Sequence, residues 1–176
     1  MRSLLLIFLL GITQCWGQQL AQEKVIRVPV IFHIIYSDRQ HSGSEGANKS
    51  ENLSDDIIFA ELRDLTRDFM LANKDTSEVL EVFKSRIGNP NIEFYLADTL
   101  LQEGGTKGII RIKTSSNKSR LYQRSPVIDP GRYLNVYIGN IGGSFAPSAN
   151  TWADPKTDAV YLGFDSVGKG YRLLTH

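Results

Sequence analysis

Cysteine is nearly absent from this chain. Its 176 residues contain one, Cys15, close to the N-terminus. No disulfide can brace the domain, so its stability has to come from a buried core. Charge of one sign is absent too. The formal net charge is +1. Arg2 is the only charge in the first 17 residues, so the 20 Lys and Arg less Arg2 balance the 19 Asp and Glu of the remainder. That balance gives no footing for nucleic acid or for an anionic surface as partner. Histidine is scarce, with only His33, His41 and His176. Long apolar runs are missing as well. The longest, Leu4 to Ile12, falls short of the roughly 20 residues that a membrane-spanning helix needs.

That short run follows Arg2 and gives way to smaller and more polar residues. This is the layout of a secretory signal, with cleavage expected after Gly17. The alternative reading makes Cys15 the lipid-modified first residue of a bacterial outer-membrane lipoprotein. Gln14 fits that poorly, because a small residue is wanted at its position. The expected organisation is a signal over residues 1–17 and a single domain from residue 18 to residue 176. The roughly 160 residues after the signal suffice for one core.

V-I-R-V-P-V-I-F-H-I-I-Y, Val25 to Tyr36, is dense in β-branched and aromatic residues. It predicts a strand buried on both faces, central in its sheet. Pro29 argues that the early half lies at an edge or bulge. His33 within this run is expected to be a hydrogen-bonded core residue. Ser37 to Leu53 is polar and aperiodic, a long loop. Asn48, Asn52 and Asn117 each begin an N-x-S glycosylation pattern, which is short enough to arise by chance.

Ser54 is expected to cap a helix, with Asp55 and Asp56 in its first turn. Ile58, Leu62, Leu65 and Phe69 make one apolar stripe, and Asn73 is a plausible stop. A weaker helix is expected over Val79 to Arg86. Strands are expected at Asn91–Ala97, Gly108–Ile112, Tyr133–Ile138 and Asp158–Phe164. Gly104-Gly105 and Asp129-Pro-Gly-Arg read as turns, and Lys113 to Arg124 as a solvated basic loop. A final helix is expected to start near Gly168. The pattern predicts one α+β, α/β-like domain.

Taken in order, these segments resemble the N-terminal half of a pappalysin-type metzincin zinc metallopeptidase. The pieces that carry the likeness are V-P-V-I-F-H-I-I-Y, R-D-F-M-L-A-N-K-D-T, N-I-E-F-Y-L-A, T-K-G-I-I-R and Y-L-N-V-Y-I-G-N-I-G-G. They cover Val25 to His176. The resemblance implies a twisted mixed sheet, a backing helix and the start of the active-site helix. In that family the helix carries H-E-x-x-H-x-x-G-x-x-H, with residues like R-x-L-T directly before the first histidine. Arg172, Leu174 and Thr175 occupy those places before His176. His176 is thereby implied as the first zinc ligand. The general base and the other two ligands would follow it.

Zinc is the implied cofactor, and a calcium requirement stays open. A peptide or protein is the implied substrate. Gly142, Gly143, Ser144, Phe145 and Ala146 resemble the region whose edge pairs with extended substrate. An ordinary glycine turn is the alternative, and Pro147 departs from the pattern by removing a donor. Tyr95 and Gly139 stand where many relatives have cysteine, which is consistent with a branch lacking those disulfides. The rival functions are a non-enzymatic surface binding module or a degenerate peptidase relative. The 176 residues alone are expected to be inactive, and poorly soluble or partly molten.

Overall fold

The computed structural model describes residues 24–42, 48–115, 123–141, 148–149 and 155–175. Its elements in chain order are β1 (Ile26–Tyr36), α1 (Asp55–Phe69), α2 (Glu81–Lys84), β2 (Ile92–Leu96), β3 (Ile109–Lys113), β4 (Leu134–Gly139), β5 (Ser148–Ala149) and β6 (Val160–Gly163). Short 3₁₀ turns lie at Lys74–Glu78, Pro155–Thr157 and Leu173–Thr175. Among the described residues no helix is long and apolar enough to cross a membrane.

The sheet runs β2-β1-β4-β6-β5, and β3 also pairs with β1. Every pairing is parallel except β5 with β6. The fold is α+β, a mixed sheet with one backing helix, α1. β1 is long enough to serve two short strands along one side. Its residues 26–30 pair with β2 and its residues 32–36 with β3.

Pro29 follows from that arrangement. Main-chain bonds from Ile26 to Asn91, Val30 to Ala97, Phe32 to Gly108 and Tyr36 to Thr114 all leave β1 on the β2/β3 side. Even-numbered residues therefore point there, and the Pro29 nitrogen points to the other side. β4 joins that side only from Val30 onward. The missing donor falls where no partner strand stands, so the early half of β1 is an edge on that side.

Period-two alternation then sorts the side chains of β1. Val30, Phe32 and Ile34 pack with Ile58 of α1, Ile109, Val136, Ile138 and Leu162. Ile31 and Ile35 belong to two smaller clusters on the other face, with Ala97 and Ile110, and with Tyr137 and Ala159. Both faces are covered, as the unbroken apolar run of β1 predicts.

Helix α1 begins where expected, after Ser54, but the Ser54 side chain makes no capping hydrogen bond. Asp55 in the first turn accepts instead from Thr106 and from Arg111 Nη2, the latter at 2.6 Å. The helix ends at Phe69, before Asn73. Ala72 N–H bonds Arg67 O and Leu71 N–H bonds Asp68 O, a Schellman pair with Leu71 left-handed at φ 55°.

The long loop after β1 is anchored by Glu51, which is fully buried. Its carboxylate accepts from Ser37 N at 2.7 Å, Ser37 Oγ at 2.8 Å and His41 Nε2 at 2.7 Å. Asn48 Nδ2 donates to Phe164 O and Val167 O. That amide is thus engaged inside the protein, whereas Asn52 is exposed.

Candidate functional site

The final helix expected near Gly168 is not there. Residues Phe164 to Gly170 form turns, and a three-residue 3₁₀ turn, Leu173–Thr175, follows. The backbone explains the difference. Gly168, Gly170 and Arg172 have φ of 70°, 73° and 56°. Three left-handed residues within five positions rule out an α-helix from Gly168.

Two carboxylates of α1 hold this irregular segment. The buried face of α1 consists of Ile58, Glu61, Leu65 and Asp68. Glu61 Oε2 accepts from the Gly168 N–H at 2.8 Å. Burial raises the Glu61 pKa, and the backbone N–H groups of Gly168 and Leu174 oppose that shift. Asp68 Oδ2 accepts from Arg172 Nε at 2.6 Å and from Thr175 Oγ1 at 2.7 Å. Asp75 also receives a bond from Arg172. These hydrogen bonds, Asp68 first, push the Arg172 pKa upward and keep its guanidinium charged. A Cβ on Gly168 would come within 2.7 Å of Ile57 Cγ2, so this residue lies flat against the helix.

His33 is a core residue, as expected. Asn135 Nδ2 donates to Ile128 O at 2.9 Å and Tyr133 O at 3.1 Å, which orients its amide. Asn135 Oδ1 therefore faces His33 Nε2 at 3.0 Å and must accept from it. Nδ1 is left to accept from Ser125 Oγ at 2.7 Å. Tyr137 stacks on the imidazole at 4.2 Å and donates to Ser125 O. Burial lowers the His33 pKa to about 4, so the ring is neutral near pH 7. Both nitrogens are engaged, and His33 has no lone pair for a metal. His41 engages Glu51 Oε1 through Nε2 at 2.7 Å.

His176 and Gly142, Gly143, Ser144, Phe145 and Ala146 lie outside the described residues. Their flanks are informative. Asn140, just before the glycine-rich stretch, reaches Glu51 Oε1 at 3.4 Å. β5, just after it, is the terminal strand of the sheet and runs antiparallel to β6. Thr175, just before His176, rests on Asp68. Among the described residues no group of three or more His, Cys, Asp or Glu side chains could hold a metal ion. These residues do not by themselves make up a zinc site, and no catalytic step is derived from them.

Sequence reasoning missed Glu61 and Asp68. The signal was their register: each lies three residues after an apolar residue of the buried face, Ile58 and Leu65. That spacing puts an acid on the apolar side of a helix.

No protein-family model and no curated protein matches the chain. Solved structures do. The chain is 26% identical to a Tannerella forsythia promirolysin mutant, covering 81% of this chain and 47% of that one at a TM-score of 0.65. Against mature mirolysin in complex with a cleaved peptide, also from Tannerella forsythia, the identity is 26%, with 80% and 53% covered and a TM-score of 0.62. Against mirolysin in complex with compound 9 the identity is 26%, with 85% and 56% covered and a TM-score of 0.64. Mirolysin is a metallopeptidase with a metzincin-like fold. The chain spans about half the length of the mirolysin chains it matches.

Proposed function

We propose that residues 18–176 form the N-terminal part of the catalytic domain of a secreted zinc endopeptidase of the pappalysin type, behind a signal over residues 1–17. The observation that carries this reading is the match to mirolysin over at least 80% of the chain at 26% identity. The R-x-L-T approach supports it, because Arg172 and Thr175 are both tied to the backing helix immediately before His176. His176 is the first zinc ligand in this reading. A peptide is the substrate, in line with the cleaved peptide bound to one mirolysin structure. Gly142 to Ala146 lead into the edge strand β5, where an extended peptide could add main chain to main chain.

The test is to read the coding DNA beyond the codon for His176 and assay the encoded product. We expect E-x-x-H-x-x-G-x-x-H to be completed, and peptide hydrolysis to be abolished by chelation and restored by zinc. The 176-residue chain alone should be inactive. Any other continuation refutes the enzyme reading. A stop codon directly after His176 would leave a degenerate relative or a binding module.

A further inference from the structure

We propose that Glu61 and Asp68 are positioning residues that set where and in which direction the chain enters residue 176. As a statement about a zinc ligand, this rests on the peptidase reading above. As a statement about the fold, it rests on four donors. Glu61 takes backbone N–H groups from Gly168 and Leu174. Asp68 takes the Arg172 guanidinium and the Thr175 hydroxyl. All four lie between residues 168 and 175.

The two acids stand seven residues apart on one helix face, about 10.5 Å along its axis. Two separated anchor points fix both the place and the direction of a segment, which a single contact cannot do. The segment needs this. Its only regular element is the three-residue turn Leu173–Thr175, far too short to persist unaided. Left-handed Gly168 and Arg172 give it a shape that no local helical preference selects. Each Cα lies about 3.8 Å from the next, so a fixed Thr175 confines the start of residue 176. A metal ligand has to be held to within about 0.5 Å.

The plain alternative is that the acids serve general stability. Apolar side chains would do that at least as well, because buried carboxylates carry a desolvation cost. Here Glu61 is 2% exposed and the Asp68 side chain 1%. What carboxylates add is direction, through short bonds to particular N–H and O–H groups.

Residue-by-residue amide hydrogen exchange on the full chain tests this, together with NMR of the His176 ring. Thr175→Val removes one donor and leaves both acids in place, so it should fold. Asp68→Asn weakens the second anchor. In both variants, exchange at Leu174 and Thr175 should quicken about tenfold while β1 amides stay unchanged. The His176 ring signals should be displaced from random-coil values in the parent and move toward them in both variants. Glu61→Gln keeps an acceptor and should retain Gly168 protection, whereas Glu61→Leu should lose it.

Unchanged exchange over residues 168–175 would overturn the proposal. So would an equal rise in β1 and α1, which marks general stability, or His176 signals that do not respond. Neither readout uses zinc or substrate. The clamp can therefore fail while the peptidase reading stands, and the reverse.

Discussion

His33 and Asp68 are both buried polar groups that tie together segments far apart in the chain, by opposite means. His33 lies on the sheet face away from α1, in a neutral network with Ser125, Asn135 and Tyr137. Every hydrogen-bonding position on its ring is filled, and it locks the loop from Ser125 to Tyr133 onto the sheet. Asp68 lies on the buried face of α1, in a charged network with Arg172 and Asp75. A neutral, closed network tolerates deep burial because nothing in it has to stay ionised. A charged one needs its counter-ion beside it, and Arg172 stays partly exposed. The first network suits a permanent staple. The second suits a contact that fixes one segment while leaving it near solvent.

The largest effect that would separate the two is loss of Asn135. This one side chain bonds His33, Ile128 N, Ile128 O and Tyr133 O. Asn135→Ala should cost about 4 kcal/mol in urea unfolding, because it strands several buried groups together. A cost near that of an ordinary surface change would show that the neutral network is not a staple.

Acidification should act on His33 and on Glu61, the other acid of the clamp, with opposite sign. The pKa of His33 falls from 6.5 to about 4 on folding. The unfolded chain then binds the proton more readily between those values. The His33 contribution is complete above pH 6.5 and is lost as pH falls toward 4, about 3 kcal/mol in all. The pKa of Glu61 is raised from 4.5 instead. Its contribution is complete below that value and is lost as pH rises past it. Urea unfolding at stepped pH should show a flatter acid limb in His33→Gln. The stability of Glu61→Gln relative to the parent should climb above pH 4.5. An acid limb unchanged in His33→Gln would assign it to other groups.

The smallest effect compares two glycines of the clamped segment. Gly168 and Gly170 share a left-handed backbone, but only Gly168 meets a neighbour, Ile57. Gly168→Ala should cost about 3 kcal/mol and Gly170→Ala about 1 kcal/mol in thermal unfolding. Equal costs would mean that the segment is not pressed against α1.

Much of the fold was legible in advance. The apolar density of residues 25–36 marked a central strand, and the stripe from Ile58 to Phe69 marked a backing helix. These are signals of period and composition carried by consecutive residues. Two expectations went astray for the same reason. A final helix was expected to start near Gly168, but left-handed residues at 168, 170 and 172 put turns there. The core face of α1 was expected at Ile58, Leu62, Leu65 and Phe69, whereas its buried residues are Ile58, Glu61, Leu65 and Asp68. Each depends on a partner about a hundred residues away, and no local window contains both.

The sequence by itself determined which segments form strands and which helix backs them, since side-chain period and β-branching act between near neighbours. It also carried the R-x-L-T-H run, one of the pieces by which the chain resembles metzincins. Only the tertiary structure decided what the buried polar residues do. A carboxylate on an apolar helix face is a liability until a donor arrives from elsewhere. An imidazole is neutral or charged according to what surrounds it. Both outcomes turn on desolvation and on hydrogen bonds between distant segments.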